Sequence, residues 1–284
     1  KQVQDLRKMS GAGMMECKAA LSESNGEIEQ AFKILREKGI AKAEKKSSRD
    51  ANEGLIGVKI ENNKAAIVEI NSETDFVSRN NEFHDLVSDI LSIAIEEEGV
   101  FESTSAKSKD KINDAVGKIG ENIVFKRSSF LEGKVYSYIH NSLAEGLGKI
   151  GVIILLNSDD NIDLSEIGKN LCMHIAATSP LSISVEDLDD SIINSEREII
   201  MQQLKDIDKP DNILSKMING KLNKYFEDIV LMKQKFVINP DLNIEKYIQK
   251  SQFFRKIITC KNMILHKKTF IKYGFEDKCL QKNV

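Results

Sequence analysis

The sequence predicts an α+β protein: an N-terminal three-helix bundle, a two-part core with small antiparallel sheets, and an antiparallel helical hairpin inserted into the second part of that core. Three observations carry this. Apolar residues recur at helical spacing through the first forty positions and again from Leu188 to Phe226. Between them, short apolar runs bounded by turn residues alternate with amphipathic stretches. Asp208-Lys209-Pro210-Asp211-Asn212 interrupts the second helical segment near its middle.

Taken in order, Val3, Leu6 and Met9 set the first helix of a bundle spanning 1–40. Ser10-Gly11-Ala12-Gly13 turns the chain, and Met14, Met15, Ala19 and Leu21 mark the second helix. After a turn at Asn25-Gly26, Ile28, Ala31, Phe32 and Leu35 give the third helix an apolar stripe, with Gly39 as its expected stop. So small a bundle buries little apolar surface and is only marginally stable by itself. Residues 41–53, AKAEKKSSRDANE, have no apolar period. They read as a mainly basic connector, either a solvated helix extension with a loop or a flexible linker.

The first core part, 54–131, opens on a hairpin: Leu55–Ile60, an Asn62-Asn63 turn, then Ala65–Ile70. A loop over 71–80 leads into a helix whose stripe is Phe83, Leu86, Val87, Ile90, Leu91 and Ala94, and a further helix is expected around 111–119. The second part, 132–187, repeats the plan with strands at Val135–His140 and Ile150–Leu156 and a helix over 164–177 that turns Ile167, Leu171 and Ile175 inward. Hairpin plus helix occurring twice points to two related subdomains. Across 188–230 two helices flank the Pro210 turn as an antiparallel hairpin. Such a hairpin cannot bury both its faces, so its outer apolar face is expected to seek another surface, a second copy of the chain among the candidates. Residues 231–252 return to the second core part, and 253–284 form a basic, aromatic tail.

Composition narrows the function. In 284 residues, 41% are hydrophobic and 30% charged, ordinary for a core-forming protein. The net charge of -3 argues against non-specific nucleic-acid binding, and no apolar run is long enough for a membrane span. Lys1-Gln-Val-Gln-Asp shows no secretory or organelle-targeting pattern. Cys17, Cys172, Cys260 and Cys279 are scattered without a CxxC pair, so reduced thiols in a cytoplasmic setting are expected, with neither a disulfide framework nor a zinc site.

No enzyme motif emerges. Gly11-Ala12-Gly13 follows no strand and lacks the Gly-Lys-Ser/Thr of a phosphate loop. His84, His140, His174 and His266 have no metal-ligand spacing, and Cys172 and His174, two apart on a helix, point to different sides, which favours structural roles. No GxSxG elbow is present, and no catalytic residue or cofactor is nominated. Thr74-Asp75-Phe76-Val77 stands out between strand and helix. Two roles are open for it. Thr74 or Asp75 can cap the helix while Phe76 packs as a staple. Alternatively, the loop projects an aromatic wedge beside a negative charge into a partner.

Several motifs then coincide in order. Leu6–Leu21, LRKMSGAGMMECKAAL, resembles the elongation factor Ts family signature LRxxTGAGMMDCKKAL, with Ser10 for Thr and Glu16 for Asp. AFKILREKGIAKA over 31–43, EINSETDFV over 69–77, KIGENIV over 118–124 and MHIAATSP over 173–180 continue the resemblance, which covers roughly 1–248 and fades after Ser251. It implies a ubiquitin-associated-like N-terminal domain and an exchange factor that makes no bonds and promotes GDP release from the GTPase elongation factor Tu. By the same resemblance, Arg7, Met14 and Met15 contact the GTPase domain. Thr74, Asp75, Phe76 and Val77 form the entering loop, with Phe76 wedging beside the nucleotide and Asp75 disturbing the partner's Mg²⁺ network. His140 meets a distal domain. Two adjacent methionines cannot both face one small core, so at least one of Met14 and Met15 is expected to be exposed. Rival functions are a ubiquitin-associated-like recruiter without exchange activity, and a nucleic-acid binder using the basic connector and tail.

Overall fold

The computed structural model describes residues 1–157, 163–250 and 256–264. These fall into two units: 1–131, 139–151 and 263–264 in the first, and 132–138, 152–157, 163–250 and 256–262 in the second.

The first unit starts with three helices, α1 (Gln2–Ser10), α2 (Met14–Glu23) and α3 (Ile28–Lys46). Their shared core is Leu6, Cys17, Ala20, Leu21 and Ala31, with Val3, Ala12, Ile28, Ile34 and Leu35 partly buried against it. The inward face of α2 therefore differs from the expected stripe. Small Cys17 and Ala20 join Leu21 inside and let the short helices approach, leaving Met14, Met15 and Ala19 outside. Gly39 does not stop α3, which continues to Lys46. The extension packs on α5 (Phe101–Ile119), where Gly39 faces Gly117 closely, and Arg36 pairs with Asp110 at 2.6 Å.

Strands β1 (Glu53–Glu61) and β2 (Lys64–Ser72) pair antiparallel from Glu53–Ser72 to Glu61–Lys64. Asn62 and Asn63 both sit at positive φ, 49° and 63°, the conformation of the two-residue turn that matches strand twist. Strand β3 (Ile123–Glu132) flanks β2, and the start of β5 (Leu147–Asn157) pairs with β1 at Gly148–Ile56 and Leu147–Gly57. Strand β4 (Val135–Ala144) neighbours β5; both strands run on from one unit into the other. All six expected stripe residues of α4 (Asn81–Glu96) are buried, in a core shared with Leu55, Val68, Ile70, Val116, Ile123 and Phe125. The helix lies close on the sheet because Gly57 has no side chain: a Cβ there would stand 2.7 Å from Val87 Cγ1 and 2.8 Å from Leu91 Cδ1.

The helix expected around 111–119 is the second half of α5; the first half of α5 and strand β3 have no counterpart in the sequence expectations. The first half of α5 is polar, and its inward residues are the hydroxyl-bearing Thr104 and Ser108; Ser108 Oγ donates to the Thr104 carbonyl at 2.7 Å, while the buried Thr104 Oγ1 has no hydrogen-bond partner among the described residues. Strand β3 interrupts its apolar alternation with Arg127, which is held by an ion pair to buried Glu69 of β2.

In the second unit, α6 (Ser165–Thr178) buries Gly168, Leu171, Cys172, His174, Ile175 and Ala176, while Ile167 is half-buried. His174 Nδ1 accepts from the Val237 N–H at 3.3 Å. The neutral ring then carries its proton on Nε2 and donates to Gln234 Oε1 at 3.0 Å, an oxygen that also accepts from Thr178 Oγ1. Burial holds the His174 pKa below the ordinary imidazole value. Cys172 Sγ lies 3.6 Å from the Tyr136 carbonyl. Thus Cys172 and His174 serve packing and hydrogen bonding, as their spacing predicts.

Helices α7 (Asp190–Gln203) and α8 (Asp211–Ile229) form the hairpin around Ile200, Leu204 and Leu222, and leave Ile199, Met201 and Ile213 exposed. Helix α9 (Ile244–Lys250) and strand β6 (Lys256–Ile264), which pairs with β5, complete the elements. Apart from the backbone of β6, the tail expected over 253–284 lies outside the described residues. Cys17 and Cys172 are buried. No helix among the described residues is long and apolar enough to cross a membrane.

Candidate functional site

At the end of β2 the chain leaves the sheet through Ser72-Glu73-Thr74 and enters a short 3₁₀ turn at Val77–Arg79 before α4 begins. Successive N–H groups of Ser78, Arg79 and Asn80 donate to the carbonyls of Asp75, Phe76 and Val77 at 3.2, 3.1 and 2.9 Å. Ser78 Oγ adds a bond to the Asp75 carbonyl at 2.5 Å, and His84 Nε2 lies 2.8 Å from the Ser78 carbonyl. Every backbone group in this turn that is so engaged helps to fix the direction of the side chains between.

The helix-capping role falls to Asn80, whose Oδ1 accepts the Glu82 N–H at 2.8 Å. Neither Thr74 nor Asp75 caps α4, and Phe76 does not staple it: Phe76 is 79% exposed with an ordinary right-handed backbone, φ -61° and ψ -37°. Val77, next in line, is buried at 5% and anchors the turn in the core of the first unit. Asp75 is exposed, and among the described residues no partner for its carboxylate is found. The loop thus sets an aromatic ring and a negative charge side by side in solvent, over a buried valine.

The base of the loop is held from elsewhere in the chain. Glu121, just after α5, accepts the Thr74 N–H at 2.9 Å on one carboxylate oxygen and the Thr74 hydroxyl at 2.5 Å on the other. The buried Asn122 donates its N–H to Glu73 Oε1 at 2.6 Å and its side-chain amide to the Arg49 carbonyl at 2.7 Å. Arg49 also pairs with Glu73, at 3.5 Å. Ser72 Oγ donates to the Thr74 carbonyl at 2.9 Å. Glu121 and Asn122 belong to the KIGENIV motif, for which the sequence alone suggests no role. Its signal was a glutamate and an asparagine directly after the helix-ending Gly120, which has φ +86°, and before an apolar strand.

The remaining candidate residues lie apart from this loop in the sequence. Arg7 is exposed on α1, and its carbonyl accepts the Gly11 N–H at 2.8 Å. Met14 and Met15 open α2 with 55% and 74% of their surfaces exposed, so both face solvent, which meets the expectation that at least one does. His140 is exposed on β4 in the first unit. Thr74, Asp75, Phe76 and Val77 are therefore brought together as one continuous feature, whereas Arg7, Met14, Met15 and His140 are exposed positions on other elements.

Comparison with known proteins gives a consistent pattern. The family model described as Elongation factor TS matches residues 73–268, which extends past Ser251, where the motif resemblance fades. The chain is 47% identical over 262 residues to the elongation factor Ts of Rhizobium etli (strain CIAT 652), covering 88% of this chain and 85% of that protein. It is 45% identical over 263 residues to elongation factor Ts of Bartonella bacilliformis, covering 88% and 86%. The elongation factor Ts of Agrobacterium fabrum is 46% identical over 254 residues, 85% of this chain and 82% of the relative.

Proposed function

The chain belongs to the elongation factor Ts family, and from that premise we propose that it is a guanine nucleotide exchange factor that releases GDP from elongation factor Tu through its Asp75-Phe76 projection. The observation that carries this is the 79% exposure of Phe76 beside an exposed Asp75, on a loop whose flanks are hydrogen-bonded and buried. A large apolar ring left in water at a rigid position has no use to its own fold. Burying such a ring in a partner gains about 1.5–3 kcal/mol.

In this mechanism the ring wedges between elements of the GTPase next to its nucleotide. The Asp75 carboxylate perturbs the hydrogen bonds that hold the partner's Mg²⁺. That ion demands near-octahedral geometry, so a small displacement of its surroundings weakens it. With the ion loosened, the diphosphate's negative charge is less well neutralised and GDP leaves. Arg7, Met14 and Met15 supply further contact to the GTPase domain, and His140 to a distal domain. The exposure of both methionines supports an adaptable apolar contact there.

Thermodynamic linkage fixes the rest. If the factor weakens GDP by some ratio, GDP weakens the factor by the same ratio. A tight complex with the empty GTPase is thus dissolved by incoming nucleotide, and excess GTP sets the direction. No bond forms or breaks, so no catalytic side chain is needed.

The test is release of labelled GDP from elongation factor Tu. Phe76→Ala should leave the thermal unfolding curve nearly unchanged, because the ring is 79% exposed, and should slow release by a factor of about 30, the equivalent of about 2 kcal/mol at an interface anchor. A wild-type rate removes Phe76 from the mechanism. The recruiter alternative predicts binding to the GTPase with no acceleration of release by the wild-type chain.

A further inference from the structure

We infer that Glu121 is a positioning residue, whose carboxylate seats Thr74 and thereby presents Asp75 and Phe76 as a preformed projection. The inference rests on the exchange mechanism above and adds to it a residue outside the loop, 47 positions away in sequence from the group it holds.

The geometry suits an ionised carboxylate. Thr74 offers two donors, its N–H and its hydroxyl, and Glu121 meets them with separate oxygens at 2.9 and 2.5 Å. An ionised carboxylate is acceptor-only, so both oxygens can serve. An amide keeps one oxygen for the N–H, and its NH₂ can meet the hydroxyl only as a donor, which exchanges two charge-assisted bonds for two weaker neutral ones. The seat is itself fixed on its far side. The Gly120 N–H bonds the Val116 carbonyl as α5 ends, and the next residue, Asn122, holds Glu73 and the Arg49 carbonyl. Thr74 is the residue immediately before the exposed pair. Fixing it from the α5 side, while Ser78 and Asn80 fix the turn after it, leaves Asp75 and Phe76 suspended between two anchored ends.

Releasing one anchor predicts a distinct signature. A loop that samples several conformations is binding-competent only for a fraction of the time, and apparent affinity falls by that fraction. Once bound, the same ring and carboxylate are in place. Glu121→Ala should therefore raise the concentration giving half-maximal release of labelled GDP from elongation factor Tu by about tenfold, with the maximal rate within about twofold of wild type. Glu121→Gln, which keeps one acceptor, should fall between. The contrast is with Phe76→Ala, which loses the maximal rate.

A second readout is independent of exchange. Hydrogen–deuterium exchange of the Thr74 amide should accelerate in Glu121→Ala while the α4 amides of Val87 and Leu91 stay protected, separating a freed loop from an unfolded unit. Should Glu121→Ala fail to fold, Thr74→Val keeps the N–H and loses the hydroxyl, and is expected to show a smaller change in both readouts. Unchanged half-maximal concentration with unchanged Thr74 exchange overturns the inference, as does a loss confined to the maximal rate. If the wild-type chain does not accelerate GDP release, the exchange mechanism fails, and the Thr74 amide still decides whether Glu121 seats the loop. If Phe76→Ala is impaired and Glu121→Ala is normal, only the positioning role falls.

Discussion

At the scale of single residues, two buried or projecting groups show how differently sequence speaks. Phe76 and Val77 are adjacent and similarly apolar, yet one is 79% exposed and the other 5%. Composition cannot distinguish them; the order of hydrogen bonds in the 3₁₀ turn does. The motif made the loop visible, but its seat was not, because Glu121 and Asn122 reach it across 47 and 49 residues and no local pattern announces such a pairing. His174 gives a testable case in the second unit. Its ring is neutral in a buried network, with its pKa held below the usual value by desolvation. In the unfolded chain it titrates near the ordinary value of about 6.5. A lowered folded value means that the unfolded chain binds the proton first as acid is added. The stabilisation is thus complete above that pH and is lost as pH falls toward the folded value. Urea midpoints measured from pH 8 to pH 5 should fall more steeply for the wild-type chain than for His174→Gln, which cannot titrate; parallel curves would show that this imidazole is not the responsible group.

At the scale of elements, legibility followed apolar period. Helix α4 announces all six of its buried residues because each is large and apolar at helical spacing. The first half of α5 is silent because its inward residues are Thr104 and Ser108, hydroxyl-bearing side chains that are buried without looking hydrophobic in sequence. Strand β3 is obscured by Arg127, a charge that becomes tolerable only when Glu69 lies opposite it on β2. Glycine misleads in the same way. Gly39 reads as a stop from local propensity, but tertiary packing against Gly117 overrides it. Gly57 is a tight packing constraint between the sheet and α4. Gly57→Val should place its branches among Val87, Leu91 and Leu147 and lower stability by about 1–3 kcal/mol, the usual cost of overpacking. Chemical denaturation reads this directly; an unchanged midpoint would mean that α4 moves away freely.

At the scale of the whole molecule, the helical hairpin is separable in its contacts. Ile200, Leu204 and Leu222 form their own cluster with Leu214, Met217 and Phe226. The chain enters and leaves at one place, where the Leu181 N–H bonds the Ile229 carbonyl at 2.6 Å and Leu231 bonds Ser182 at 2.8 Å. Replacing residues 189–228 by a short Gly/Ser linker should therefore preserve a cooperative unfolding transition in the remainder, measured by circular dichroism, because Leu188 and Val230 stay at its base. An insoluble product would make the hairpin part of the core.

The Arg49–Glu73–Asn122 junction has one more consequence, and it concerns time. Its bonds span separations of 24, 49 and 73 residues, so the platform under the projecting ring is a non-local assembly whose loops cost more entropy to close than the local helices and hairpins. A nascent or half-folded copy carries the right tetrapeptide without the scaffold that aims it. Under the exchange mechanism proposed above, competence would arrive only with completion of the fold.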